Sequence, residues 1–303
     1  MTKIVFLLLP HIHLLDLAGA DQVFLEAIEH TANLEIAYCS LTDEIYTSSH
    51  IPLGKVEHFS AITFRSGDYL IVPGAEISYL LSPEFAKQTS LFAWLNHAYL
   101  QSAYVCSICT GAYVLALASL LDGKKCTTHW KHTERLQNHF PKAKVQGNIL
   151  FTEDERILTS AGVTSGIDLA LYIVSRLKDD LFSYKVAREL VIYMRRQGNQ
   201  AQQSVYLQYR NHIHSGIHKV QDWLQEHTEQ KASLVDLAEI ACMSTRNLTR
   251  VFRKETGISI NEFITLIRKE KINELLKNPD TTRSQIARQC GLKSERQVAR
   301  LLR

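Results

Sequence analysis

This sequence lacks the marks of several large protein classes. No stretch of its 303 residues approaches the ~18 consecutive apolar residues of a membrane-spanning helix, so no membrane partner is expected. The apolar run from Ile4 to Pro10 is interrupted beyond its end by His11, His13 and Asp16, which reads as a strand and turn rather than as a secretory signal. Neither a phosphate-binding P-loop nor a dinucleotide glycine fingerprint occurs, and no cofactor is expected. The six cysteines, at 39, 106, 109, 126, 242 and 290, form no framework and fit free thiols in a reducing cytoplasm. Metal-ligand spacing is also missing: His129 and His132 stand at i, i+3 with Glu134 close by, but no further ligand joins them, so no metal is expected.

The small net charge of +3 conceals an asymmetry. Residues 210–303 hold 17 Lys and Arg against 11 Asp and Glu, whereas residues 1–209 hold 17 against 20. A basic module attached to a slightly acidic one is the electrostatic footprint of phosphate binding. Within that module one pattern occurs twice, 50 residues apart: Ser244, Arg246, Leu248, Arg250, Val251, Phe252, Arg253, and then Ser294, Arg296, Val298, Arg300, Leu301, Leu302, Arg303. The arginines recur at i, i+4 and i+7, and the apolar trio projects from the opposite side of the same helix. Each copy opens with a serine, a preferred N-cap. A short helix precedes each copy, marked by Leu234, Leu237, Ala238 and Ala241 in the first and by Ile286, Ala287 and Cys290 in the second.

Taken alone, one copy fits an ordinary amphipathic helix with a solvated cationic face as well as it fits a DNA reader. Duplication and the local excess of charge favour two helix-turn-helix units whose second helices enter a major groove. Between them Ile260, Phe263, Ile264 and Ile267 keep helical spacing to about Lys277, before Pro279. A helix of roughly 19 residues spans ~28 Å, comparable to the ~34 Å between successive major-groove faces. The candidate DNA-contacting residues are Ser244, Arg246, Asn247, Thr249, Arg250 and Arg253 in the first unit, with Ser294, Arg296, Gln297, Arg300 and Arg303 in the second.

With Leu237-Ala238, the stretch from Arg250 to Ser259 (RVFRKETGIS) and the stretch from Ile286 to Ser294 (IARQCGLKS), residues 215 to 303 resemble the DNA-binding domain of the AraC/XylS family of bacterial transcription regulators. The resemblance implies double-stranded DNA as partner, with RNA polymerase as a further one. Leu292 stands where that family usually has phenylalanine, and the usual short tail after Arg303 is missing, so the second recognition helix is expected to be held less firmly.

The first two thirds of the chain read differently. Apolar runs at Lys3 to Leu9, Leu34 to Ser40, Tyr69 to Val72 and Tyr104 to Ile108 alternate with helical stretches, which predicts a parallel sheet with helices on both faces. One strand runs into Pro73-Gly74, where backbone N–H groups can face a ligand. Another runs into Cys109-Thr110-Gly111 and an alanine-rich helix, the shape of a nucleophile elbow, in which the helix end would favour thiolate at Cys109. A small buried core cysteine is the plainer reading of Cys109. Cys106 and Cys109 have redox-pair spacing, but a ladder is expected to hold their sulfurs on different faces. His11 and His13 read as loop-lining residues.

The segments LLDLAGADQVF (14–24), VPGA (72–75), CTGAYVLALASLLDGKKCTTHW (109–130) and TSAGVTSGIDLAL (159–171) are similar to the ThiJ/PfpI branch of the class I glutamine-amidotransferase-like fold. That similarity implies a flavodoxin-like domain over roughly residues 3 to 178. It gives Cys109 the elbow position, Asp16 the position of an acidic partner, Gly74 an oxyanion-type position and His129 a place near the pocket. Together the two halves resemble the fused regulators often called GlxA-like. Thr110 follows the cysteine where protease-like members place histidine; Asp16 could accept a proton or bind a ligand, and His129 fits a structural histidine as well as a base.

The expected organisation is a ligand-sensing domain over 1–194, a Gln/Asn-rich linker over 195–209 and a DNA-binding domain over 210–303, with a helix near 181–194 before the linker. The expected function is a nucleoid-associated, homodimeric transcription regulator that responds to a small polar effector such as an amine or amino acid. Asp16, Gly74, Cys109, Thr110 and His129 are its candidate ligand-binding residues. The alternative is a cysteine-dependent hydrolase or hydratase with an appended DNA-binding module, using Cys109, Asp16 and His129.

Overall fold

A computed structural model describes residues 1–192, 198, 205–210, 212–276, 278 and 281–302, the side chains of 206 and 207 excepted. Two compact units are present, Met1–Gln202 and Gln203–Arg303. Most of the 195–209 stretch, the helix-stopping Pro279, Lys277 and the candidate DNA contact Arg303 lie outside the described residues.

The first unit is built on a seven-stranded sheet. Its strands are β1 (Thr2–Leu8), β2 (Leu34–Ser40), β3 (Glu57–His58), β4 (Tyr69–Val72), β5 (Tyr104–Ile108), β6 (Phe151–Asp154) and β7 (Ile157–Ser160). In space they run β6-β7-β5-β4-β1-β2-β3, all parallel except the β6–β7 hairpin at one edge. Buried on both faces, the central strands are continuous apolar runs, which is why they were legible as strands. Alternation decides which side chain goes where. Val5, Leu7, Leu70, Val72 and Val105 enter one core with helices α2 (Thr89–Leu100) and α3 (Gly111–Leu117). Ile4, Phe6, Leu8, Tyr69, Ile71, Cys106 and Ile108 enter the other, with α1 (Leu14–Glu29) and α4 (Thr164–Leu177). This is the expected flavodoxin-like parallel sheet covered on both faces.

The helix expected at 181–194 is shorter: α5 spans Asp180–Glu189, capped by the Asp179 carboxylate accepting from Phe182 N–H, and is followed by Val191 at positive φ. The expectation that Cys106 and Cys109 point to different faces also fails. Both border the core beneath α1 and α4, because the strand ends at Ile108 and Cys109 turns the chain at φ +56.

The second unit is helical: α6 (Ser215–Glu226), α7 (Leu234–Ile240), α8 (Thr245–Thr256), α9 (Ile260–Leu275), α10 (Arg283–Gln289) and α11 (Glu295–Leu302). Three of the helices open with a reciprocal capping box, at Ser233/Asp236, Ser259/Glu262 and Thr282/Gln285, so the first-turn amides that would otherwise lack acceptors are satisfied locally. The 16-residue α9 joins the two helix-turn-helix units and is about 24 Å long. The first unit closes over a core that includes Ile217, Val220, Leu237, Leu248, Phe252, Phe263 and Ile267. Among the described residues, the second helix-turn-helix unit has Ile272, Ile286, Ala287, Cys290 and Val298 buried, with Leu292 packed at the edge.

Candidate functional site

Cys109 sits where β5 hands over to α3. Its φ of +56 is uncommon for a residue with a side chain and holds the thiol above the sheet edge. Gly111 is demanded by packing: a Cβ there would stand 2.1 Å from the Val72 carbonyl oxygen. Backbone bonds fix the turn, Cys109 N–H donating to Ser160 O (2.9 Å) and Thr128 Oγ1 donating to Cys109 O (2.8 Å). Thr110, a candidate ligand contact, uses its hydroxyl elsewhere, donating to Ala75 O (2.6 Å) and accepting from Ala75 N–H (3.0 Å). It thereby ties the Pro73-Gly74-Ala75 turn to the elbow. Gly74 faces the site directly, since a Cβ on it would meet Asp16 Oδ2 at 2.5 Å and Cys109 Cβ at 2.9 Å. Gly162 closes the other side: at φ +87, its added Cβ would stand 2.2 Å from Cys109 Cβ.

Asp16 lies in the first turn of α1 and is 2% exposed. Its Oδ1 accepts from Val163 N–H at 2.6 Å, a bond across 147 residues of sequence. Val163 is itself strained, a β-branched residue at φ +52, so the segment carrying Asp16's anchor is held in a conformation it would not adopt alone. Asp16 Oδ2 lies 3.3 Å from His13 Nδ1, and a ring nitrogen of His13, a carboxylate oxygen of Asp16 and Cys109 Sγ all fall within 4.8 Å of one another. The structure thus brings Asp16 and Cys109 together with His13, a residue the sequence alone marks only as loop-lining. The available signal was the i, i+3 spacing of His13 and Asp16 at a helix start.

The ionisation of Cys109 departs from the expectation. Burial, and after it the facing Asp16 carboxylate, push the thiol well above its ordinary range, while the Thr110 N–H acts the other way. Desolvation therefore outweighs the end of the seven-residue α3, and the sulfur is held as a thiol. His129 lies outside this trio. Its Nδ1 accepts from Lys131 N–H (3.3 Å) as the cap of a short turn, and burial followed by His132 lowers its pKa. With Trp130, Leu150, Gly162 and Val163 it lines a cavity of about 170 Å³.

In the second unit, Ser244 Oγ accepts from Asn247 N–H (3.3 Å) and starts α8 as expected. Leu248, Val251 and Phe252 are buried, while Arg246, Thr249, Arg250, Arg253 and Lys254 line one exposed depression. Arg250 Nη2 donates to Asn247 Oδ1 (2.9 Å), which orients the guanidinium, and Thr249 Oγ1 bonds Thr245 O (2.9 Å) within the helix. In α11 Val298 is buried and Arg296 and Arg300 are exposed, but Leu302 is 38% exposed rather than inward. At the start of α11 Gln297 Oε1 accepts from Lys293 N–H (2.7 Å), and Ser294 is exposed beside it.

Residues 2–176 match the DJ-1/PfpI family, and residues 237–303 match a helix-turn-helix domain. The HTH-type transcriptional regulator CdhR of Pseudomonas aeruginosa is 28% identical over 241 residues, covering 79% of this chain and 69% of CdhR. Isonitrile hydratase of Pseudomonas putida is 31% identical over 176 residues, 58% of this chain and 72% of that protein. Against another curated regulator the chain spans about half the length, 51%. The solved structure of an AraC family transcriptional regulator from Pseudomonas putida superposes with a TM-score of 0.55 at 23% identity, over 63% of this chain and all of that one, and supports the fold.

Proposed function

From the premise that this chain belongs to the DJ-1/PfpI family and joins that domain to an AraC-type helix-turn-helix domain, we propose a sequence-specific DNA-binding transcription regulator that senses a small polar metabolite. The observation that carries the reading is the repeated helix, α8 and α11, each with a buried apolar side and an arginine-bearing exposed one. Arg246 and Arg250 read base edges, bidentate contacts to guanine being the commonest specific ones, and Arg253, a turn further on, engages phosphate. Residues 1–194 form the sensing domain and 210–303 the DNA-binding domain, with 195–209 between them. The protein works as a homodimer in the cytoplasm, on the nucleoid, and acts on RNA polymerase from its DNA site.

The effector is an amine or amino acid. A carboxylate 2% exposed with one oxygen lacking a well-aligned partner is a strong anchor for a cationic group. A hydratase or hydrolase reading rests on Cys109 facing Asp16 and on the similarity to isonitrile hydratase. Against turnover stands the raised pKa of the Cys109 thiol, pushed up by burial first and by the facing Asp16 charge second, since an active cysteine needs a base that withdraws its proton. The test is a genome-wide map of DNA occupied by the full chain, followed by titration of the bound sites at increasing salt. Discrete sites whose affinity falls steeply with salt are expected from the +6 formal charge of residues 210–303; unspecific coverage, or affinity indifferent to salt, would refute it.

A further inference from the structure

The trio at the elbow has a composition that sensing of an organic cation does not require. His13 Nδ1, Asp16 Oδ2 and Cys109 Sγ converge from three points of the fold: the turn after β1, the first turn of α1 and the end of β5. Asp16 Oδ2 is buried, lies 3.3 Å from His13 Nδ1 and has no hydrogen-bond partner of good geometry. We propose that this space binds a thiophilic divalent cation of the zinc class, with His13, Asp16 and Cys109 as three protein ligands and one position left open, the Cys109 thiol releasing its proton to solvent as the sulfur–metal bond forms.

The distances suit such an ion. Tetrahedral bonds of ~2.0 Å to nitrogen and oxygen and ~2.3 Å to sulfur place ligand atoms ~3.3 to 3.6 Å apart. His13 Nδ1 and Asp16 Oδ2 already stand at 3.3 Å. Cys109 Sγ is within 4.8 Å of a ligand atom of each, so a movement of about 1 Å, within reach of a small rotation about its Cα–Cβ bond, completes the set. Supports behind the ligands are in place as well. Asp16 Oδ1 is held by Val163 N–H at 2.6 Å, and His13 N–H donates to Gly74 O at 2.7 Å, which fixes the carboxylate plane and the histidine backbone. One sulfur, one imidazole nitrogen and one carboxylate oxygen suit zinc and its neighbours rather than magnesium or calcium, which prefer oxygen alone. Water or a neutral amine or carboxylate donor of an amino-acid effector would complete the shell, so that with the ion bound Asp16 holds the effector through the ion rather than by a direct pair.

This inference concerns the pocket assigned above to sensing, but it does not depend on that role: its readout is the spectrum of the bound ion, so failure here leaves DNA control untouched, and failure of DNA control leaves this result standing. The experiment titrates the purified full chain with Co²⁺, a spectroscopic stand-in for Zn²⁺, and follows the near-ultraviolet thiolate-to-cobalt band and the visible bands of tetrahedral cobalt. One equivalent should bind, be displaced by Zn²⁺ and ignore excess Mg²⁺. Cys109→Ser should abolish the thiolate band, and His13→Gln, at a side chain 35% exposed and so tolerated by the fold, should weaken binding at least tenfold. Asp16→Asn, which keeps the acceptor for Val163 N–H, should do likewise. Cys242→Ser, at the exposed cysteine, should change nothing. No thiolate band, a band that survives Cys109→Ser, or one lost in Cys109→Ser yet unaltered by both His13→Gln and Asp16→Asn would each overturn the proposal, the last by showing a bare thiol that captures metal.

Discussion

Gly162→Ala tests whether the loop over the elbow is set by close approach to Cys109. Two costs act at this position. The first is conformational: at φ +87 any side chain is strained, by about 1 to 2 kcal/mol. The second is steric, because the new Cβ would lie 2.2 Å from Cys109 Cβ and 2.8 Å from its sulfur, and forced overpacking of a close-packed site costs about 1 to 3 kcal/mol. Gly123 separates the two, since it has φ +74 with nothing within 4 Å of its would-be Cβ, so Gly123→Ala carries the conformational cost alone. Gly162→Ala should therefore be less stable than Gly123→Ala by about 2 kcal/mol, or about 4 to 8 °C in melting temperature for a unit of this size. Pairing Gly162→Ala with Cys109→Gly removes the contacts with Cβ and sulfur but leaves the Cys109 Cα at 2.8 Å, and should recover part of that difference, as a coupling of about 1 kcal/mol in a double-mutant cycle. Thermal unfolding of the full chain, read at the transition of the first unit, supplies the numbers. Equal losses for Gly162→Ala and Gly123→Ala, or no recovery in the double variant, would refute the idea that glycine is imposed here by the thiol.

Arg250→Ala should relax preference at one base pair, worth about 1 to 3 kcal/mol of discrimination, whereas Arg253→Ala should weaken all sequences alike; selection of binding sites from a random pool distinguishes the two. Arg300→Ala should cost less affinity than Arg250→Ala at fixed salt, because α11 closes over a smaller core, and titration on a bound site measures the order. Burial, more than any charge, lowers the pKa of both His129 and His132 below the ordinary value of about 6.5, so between the two values the unfolded chain binds more protons than the folded one. The unfolding free energy of the first unit should then fall as pH drops below about 6.5, and replacing both histidines by glutamine should flatten that slope in denaturant titrations.

The sheet was readable because its central strands are buried on both faces and so appear as uninterrupted apolar runs, and β2, β4 and β5 fall where those runs were placed. The recognition helices were readable for a related reason, their apolar trios recurring at helical spacing on the buried side, Leu302 being the exception. The candidate site was half legible. Asp16 and Cys109 lie together, but the contact that orients Asp16 comes from Val163, a β-branched residue at positive φ that no local preference would select. The thiolate expected at Cys109 failed because a helix end is visible in sequence while the desolvation that overrides it is a tertiary property. Thr110 was placed at the site, yet its hydroxyl is committed to Ala75, 35 residues away in sequence.

The most direct test of a sensor that controls DNA is the effect of Asp16→Ala and Cys109→Ser on DNA occupancy, measured with the full chain on a mapped site while amines and amino acids are added and their amounts followed. The account predicts that occupancy in the wild type responds to one such effector whose amount stays constant, that Asp16→Ala no longer responds because its buried anchor is gone, and that Cys109→Ser responds in part. Consumption of the effector by the wild type that disappears in Cys109→Ser would contradict it and make the first unit an enzyme.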